Sequence, residues 1–142
     1  MDFKMKLAPR LPDWRTRLED YLARVAGQPF RPGRHDCALF VAGAVEAMTG
    51  EDPAAAWRGA YRSLDAGQDA LQAAGFADHV ALVAAACEEV PPALAAVGDI
   101  AVLPGAGKGA ALGLVQGAAV YVLHPGGLGL VNRLHVERAF RV

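Results

Sequence analysis

The chain has 142 residues, a formal net charge of −1 and a hydrophobic fraction of 54%, much of it alanine. That length suits one domain, which buries about two-thirds of the surface an unfolded chain exposes and needs no covalent staple. Near-neutral charge leaves no basic footprint for nucleic acid, no apolar run is long enough for a membrane-spanning helix, and Met1 to Arg10 lacks the apolar core of a signal peptide. The chain is therefore expected to be made in a cytoplasm, with Cys37 and Cys87 as free thiols.

Pro12 and Asp13 open a first helix, with Asp13 as its N-cap. Trp14, Leu18, Tyr21, Leu22 and Val25 recur at helical spacing, and Gly27 ends the run. A loop over 28–34 with Pro29, Pro32 and Gly33 leads to a second helix over about 36–49, stopped by Gly50. It is apolar on most of its surface, as a central helix is. Residues 54–58, 65–74 and 78–87 read as three short helices, and Pro91-Pro92 breaks the pattern. Beyond Val97 the period changes, with β-type runs at 100–103, 112–116, 119–123, 128–131 and 139–142. Turns fall at Gly117-Ala118 and at Pro125-Gly126-Gly127, and a glycine-rich loop carries Lys108. Helices followed by an antiparallel meander predict an α+β domain over 1–142, one helical layer on a sheet of four to six strands.

The segment with chemistry is Arg34-His35-Asp36-Cys37-Ala38-Leu39-Phe40-Val41. Asp36 suits the cap, which puts Cys37 in the first helical turn. Unpaired backbone N–H groups and the positive end of the helix dipole there favour a thiolate, the reactive form. The run Asp36 to Val41 resembles the Asp-Cys-Ser-Gly-Leu-Val element of NlpC-type papain-like cysteine peptidases, with Ala38 and Leu39 in place of Ser and Gly. Gly98-Asp99-Ile100-Ala101-Val102-Leu103 resembles that family's Gly-Asp-Leu-Val strand opening, and 112–117 resembles its His-Val-Gly-Ile-Tyr strand with the following Gly. His35-Asp36-Cys37, Trp57-Arg58-Gly59-x-Tyr61-Arg62 and the terminal Ala-Phe-Arg-Val also resemble an uncharacterised domain family of tailed phages, prophages and gene-transfer particles, over nearly the whole chain.

The resemblance implies a papain-like NlpC-type fold: N-terminal helices and a Cys-bearing central helix packed on an antiparallel sheet, with Cys37 at the nucleophile position. It also exposes a departure. The family's partner histidine falls in register with Ala111, which can neither take nor give a proton. A cysteine hydrolase needs a base within hydrogen-bond reach of sulfur. Two histidines are candidates: His35, two residues before Cys37, and His124, at the end of a strand. Nothing in the sequence aims His79 or His135 at Cys37.

Other constellations point elsewhere. His35 and Cys37 offer two metal ligands where a zinc site wants three or four, so no metal or cofactor is expected. Gly105-Ala106-Gly107-Lys108-Gly109 fails the spacing and the Ser/Thr of a phosphate loop. Trp14, Trp57, Tyr61 and Phe76 are candidates for a sugar groove or for packing, and Arg58 with Arg62 for a solvated basic edge.

Three functions follow as expectations. In the first, the chain is a tail-tip or tail-hub component of a phage or gene-transfer particle, assembled in the bacterial cytoplasm, using a degenerate peptidase fold to bind other tail proteins. In the second, it is an active hydrolase that cuts peptidoglycan stem peptides during entry. A cytoplasmic thiol enzyme or toxin-like factor is a third.

Overall fold

The computed structural model describes residues 7–105 and 109–142. The N-terminal stretch up to Lys6 and the Lys108 part of the glycine-rich loop lie outside them. Helix α1, Trp14–Val25, buries Leu18, Tyr21 and Val25, one stripe at helical spacing. Asp13 holds the N-cap position but makes no capping bond. Its carboxylate accepts from Arg17 Nε at 2.9 Å, the i, i+4 neighbour that helical geometry brings alongside.

Helix α2, Cys37–Thr49, runs through the middle of the domain and buries Phe40, Val41, Ala44, Val45 and Met48 among others. Gly50, at φ 83°, ends it in the left-handed conformation that glycine adopts without strain. Tyr21 stacks on Phe40 and donates its hydroxyl to the Phe40 carbonyl at 2.7 Å. Gly43 permits that approach, since a Cβ there would overlap the Tyr21 ring.

The expected helix over 54–58 is instead a run of turns. Asp52 organises it, accepting from Ala54 N at 2.9 Å and from Arg58 Nε at 2.6 Å. Arg58 is therefore paired with a carboxylate rather than standing on a solvated edge with Arg62. Helices α3, Leu64–Ala73, and α4, His79–Ala86, follow, each capped by a side chain: Ser63 to Ala66 N and Asp78 to Ala81 N.

Among the described residues, six strands form one antiparallel sheet. They are β1 (Glu88–Val90), β2 (Ile100–Pro104), β3 (Ala110–Val115), β4 (Ala119–His124), β5 (Gly127–Asn132) and β6 (Arg138–Arg141), in the order β1-β6-β2-β3-β4-β5. The C-terminal strand thus lies inside the sheet, between β1 and β2. Side chains alternate between two cores, as the pleat requires. Ile100, Val102, Leu112, Leu114 and Phe140 meet α1 and α2, whereas Ala101, Leu103, Val115, Val120 and Ala139 form a second cluster with Val90 and Ala95.

Asp99, almost fully buried, ties both ends of the chain to this sheet. It accepts from Arg10 at 3.1 Å, from Val142 N at 3.1 Å and from Ala96 N at 2.9 Å. The neighbouring Gly98, at φ 89°, leaves room for Met48 and the Arg10 guanidinium where a Cβ would sit. The Gly-Asp strand opening is thus a structural clamp. No helix among the described residues is long and apolar enough to cross a membrane.

Candidate functional site

Asp36 builds the head of α2. One carboxylate oxygen accepts from Leu39 N at 3.0 Å; the other accepts from Gly33 N at 3.0 Å and from the Tyr61 hydroxyl at 2.5 Å. The cap therefore fixes the incoming loop and the 59–62 segment together with the helix. Cys37 follows as the first helical residue, half-buried and unbridged. Burial pushes its thiol up from the ordinary value, and the Asp36 carboxylate adds to the rise. The backbone N–H groups of Leu112, Ala38 and Cys37 itself oppose it without cancelling it.

The sulfur docks on an opening in the sheet. Strands β3 and β4 pair only at Leu114↔Tyr121 and Val115↔Val120, and they part beyond that toward Ala110. The β2 ladder uses Gly109 O and Val115 N, so antiparallel alternation turns the backbone groups of Ala110 and Leu112 to the β4 side, where β4 is absent. Two side chains occupy this edge. Cys37 lies against the Leu112 N–H, and His79 Nε2 bonds the Ala110 carbonyl at 2.8 Å. His79 thereby lines the same cavity as Cys37.

The expected site residues separate. His35 is buried with its Nε2 unpartnered, its ring edge-on to Phe40 at 6.2 Å, and it does not line the Cys37 cavity. Burial lowers its pKa, Asp36 raises it and Arg58 lowers it further. His124 is exposed, with its ring lying over Gly129, and also stays out of the cavity. Ala111 pairs with Leu103 in β2 and lines the Cys37 cavity, to which it brings no titratable group. Strand β3 packs Ala110, Leu112 and Leu114 into the core that holds α2, none of them with a titratable group. Among the described residues, no imidazole hydrogen-bonds to the Cys37 sulfur.

The cavity itself, about 670 Å³, lies between α2, the α3–α4 arm and the sheet. Cys37, Val41 and Val45 of α2 line it together with Leu71 of α3 and His79 and Val83 of α4. Cys87 lies on its wall, its thiol pushed up to about 11 by burial and by the charge of Asp99. No three His, Cys, Asp or Glu residues converge as a metal site among the described residues.

Residues 9–142 match the model of DUF6950, a domain of unknown function. The chain belongs to the DUF6950 family. No curated protein matches it. In this DUF6950 domain Asp36 and Cys37, the residues that sequence spacing singled out, line one cavity. His79, at which spacing did not point, lines that cavity as well. His79 arrives through the fold-back of α3 and α4, and the only sequence signal for it is the Asp78 cap that places it at the start of α4.

Proposed function

We propose that this DUF6950 domain is a papain-like domain of the NlpC type that has lost catalysis and serves as an interaction module in the tail tip or hub of a phage or gene-transfer particle. One observation supports the loss above all: the Cys37 thiol is pushed up by burial in an apolar cavity, with no imidazole bonded to its sulfur. A hydrolase needs the opposite, a thiolate poised beside a base. The particle role rests on the resemblance of the His35-Asp36-Cys37, Trp57-to-Arg62 and C-terminal segments to the tail-associated family. It is in keeping with Leu94 and Leu134, 65% and 90% exposed, on short helical turns tied together by Arg133. Apolar side chains left in solvent suit burial against partner chains.

The test is direct. Purified protein incubated with peptidoglycan is expected to release no stem peptides, like a Cys37→Ala variant, and the chain is expected to co-sediment with tail particles. Peptide release that Cys37→Ala abolishes would overturn the loss of catalysis; absence from purified particles would overturn the tail role.

His79 supports a second reading, an active cysteine hydrolase of cell-wall peptides. Its ring lies on the same strand edge as Cys37, and bonding through Nε2 leaves Nδ1 available. In that case His79→Ala abolishes peptide release, whereas His35→Ala and His124→Ala leave it intact.

A further inference from the structure

On the other side of Tyr61 from the Cys37 cavity, the 31–34 and 59–62 segments enclose a pocket of about 420 Å³. Its lining includes Arg31, Arg34 and Arg62 and contains no carboxylate. All three arginines are exposed. None takes part in an ion pair or a side-chain hydrogen bond among the described residues, whereas Arg10, Arg17, Arg58 and Arg138 each hold a carboxylate.

The frame behind them is rigid. Arg31 and His35 exchange two backbone bonds of 2.8 Å, and Gly59 N donates to Gly33 O at 2.8 Å. Gly33, at φ 77°, packs against the Tyr61 carbonyl where any Cβ would collide. Gly59, at φ 72°, lies under the Arg34 guanidinium, whose nearest atom is 3.5 Å from where a Cβ would stand. Asp36 sits beneath, with its oxygens taken by Gly33 N, Leu39 N and Tyr61. Three guanidiniums over that one buried carboxylate leave an excess of two positive charges, in a chain whose net charge is −1.

We propose that this pocket is an anion site that takes a phosphate group carrying two negative charges. Guanidinium forks match phosphate oxygens two at a time, and a dianion relieves the mutual repulsion of three like charges, which a monoanion does only in part. The volume falls in the range of about 300–1,000 Å³ typical of small-molecule sites. The site stands independently of any chemistry at Cys37.

Calorimetric titration with inorganic pyrophosphate at low salt tests it, with acetate as the monoanion. Pyrophosphate is expected to bind saturably and at least about tenfold more tightly than acetate, with affinity falling as salt rises. Arg34→Gln and Arg62→Gln should each weaken pyrophosphate about fivefold or more at unchanged melting temperature, whereas Arg141→Gln, outside the pocket, should not. A parallel arm uses vesicles of phosphatidic acid, a phosphomonoester headgroup, against phosphatidylglycerol, a diester. Retention on the first alone, lost in Arg34→Gln, assigns the phosphate to a lipid; pyrophosphate binding without retention assigns it to a soluble molecule. Absence of binding in both arms, or equal weakening by Arg141→Gln, overturns the proposal.

Discussion

At the residue scale, Asp36 carries more of the site than Cys37 does. It is buried to 2% exposure and accepts three hydrogen bonds, from a loop, a helix turn and a tyrosine hydroxyl. Removing it strips the α2 cap and orphans the Gly33 N–H and the Tyr61 hydroxyl at once. Asp36→Ala is expected to lower unfolding free energy by about 2–4 kcal/mol, read from urea denaturation, with Asp36→Asn in between. A cap worth a few tenths would mean that the loop segments hold without it. The cap was legible in the sequence because it is local: an aspartate before an apolar helical run has one obvious partner, three residues on. The register of Ala111 was not. A strand's two faces look alike in a stretch such as Ala110-Ala111-Leu112-Gly113, and pairing with β2 decides which face meets α2. Ala111 lines the Cys37 cavity and, like Ala110 and Leu112, supplies no base there.

At the element scale, α2 was the most readable part of the chain, being long, apolar and bounded by Asp36 and Gly50. Strand β1 was illegible for the opposite reason. Glu88-Glu89-Val90 has no pattern of its own and becomes a strand only by pairing with β6, about fifty residues later. His79 was missed for the same kind of reason, since α4 reaches β3 only through tertiary packing. The α1–α2 contact makes a sharp prediction. Alanine is the better helix former than glycine by about 1 kcal/mol, so Gly43→Ala should stabilise an isolated helix. Here the added Cβ meets the Tyr21 ring, whose hydroxyl is bonded to Phe40 O. Overpacking should win, with a net loss of about 1–3 kcal/mol seen as a lower melting temperature. Restoration in the Gly43→Ala/Tyr21→Phe pair would locate the clash at the hydroxyl, whereas a stabilised single variant would contradict the packing.

At the scale of the whole molecule, sequence order read correctly as α+β, helices first and meander second, because the hydrophobic period changes near Val97. The closure of the fold did not read out. Arg10, Asp99 and Val142 meet from three distant parts of the chain. Stability of the whole should also depend on acid through His35. Its folded pKa lies below the ordinary 6.5, so between those two values the unfolded chain binds more protons than the folded one. Unfolding free energy should therefore rise with pH across that window, be fully recovered above it, and be lost as pH falls toward the folded value. His35→Gln should flatten the slope near pH 6 in urea titrations; an unchanged slope would place the acid sensitivity elsewhere.

The proposed loss of catalysis at Cys37 rests on the state of one thiol. Alkylation of a Cys87→Ala variant by iodoacetamide, followed across pH, measures the Cys37 titration directly. The midpoint is expected above the ordinary 9.0, with His79→Ala leaving it in place. A midpoint below about 7.5 that rises when His79 is removed would mean a thiolate–imidazolium pair and would overturn the proposed loss of catalysis.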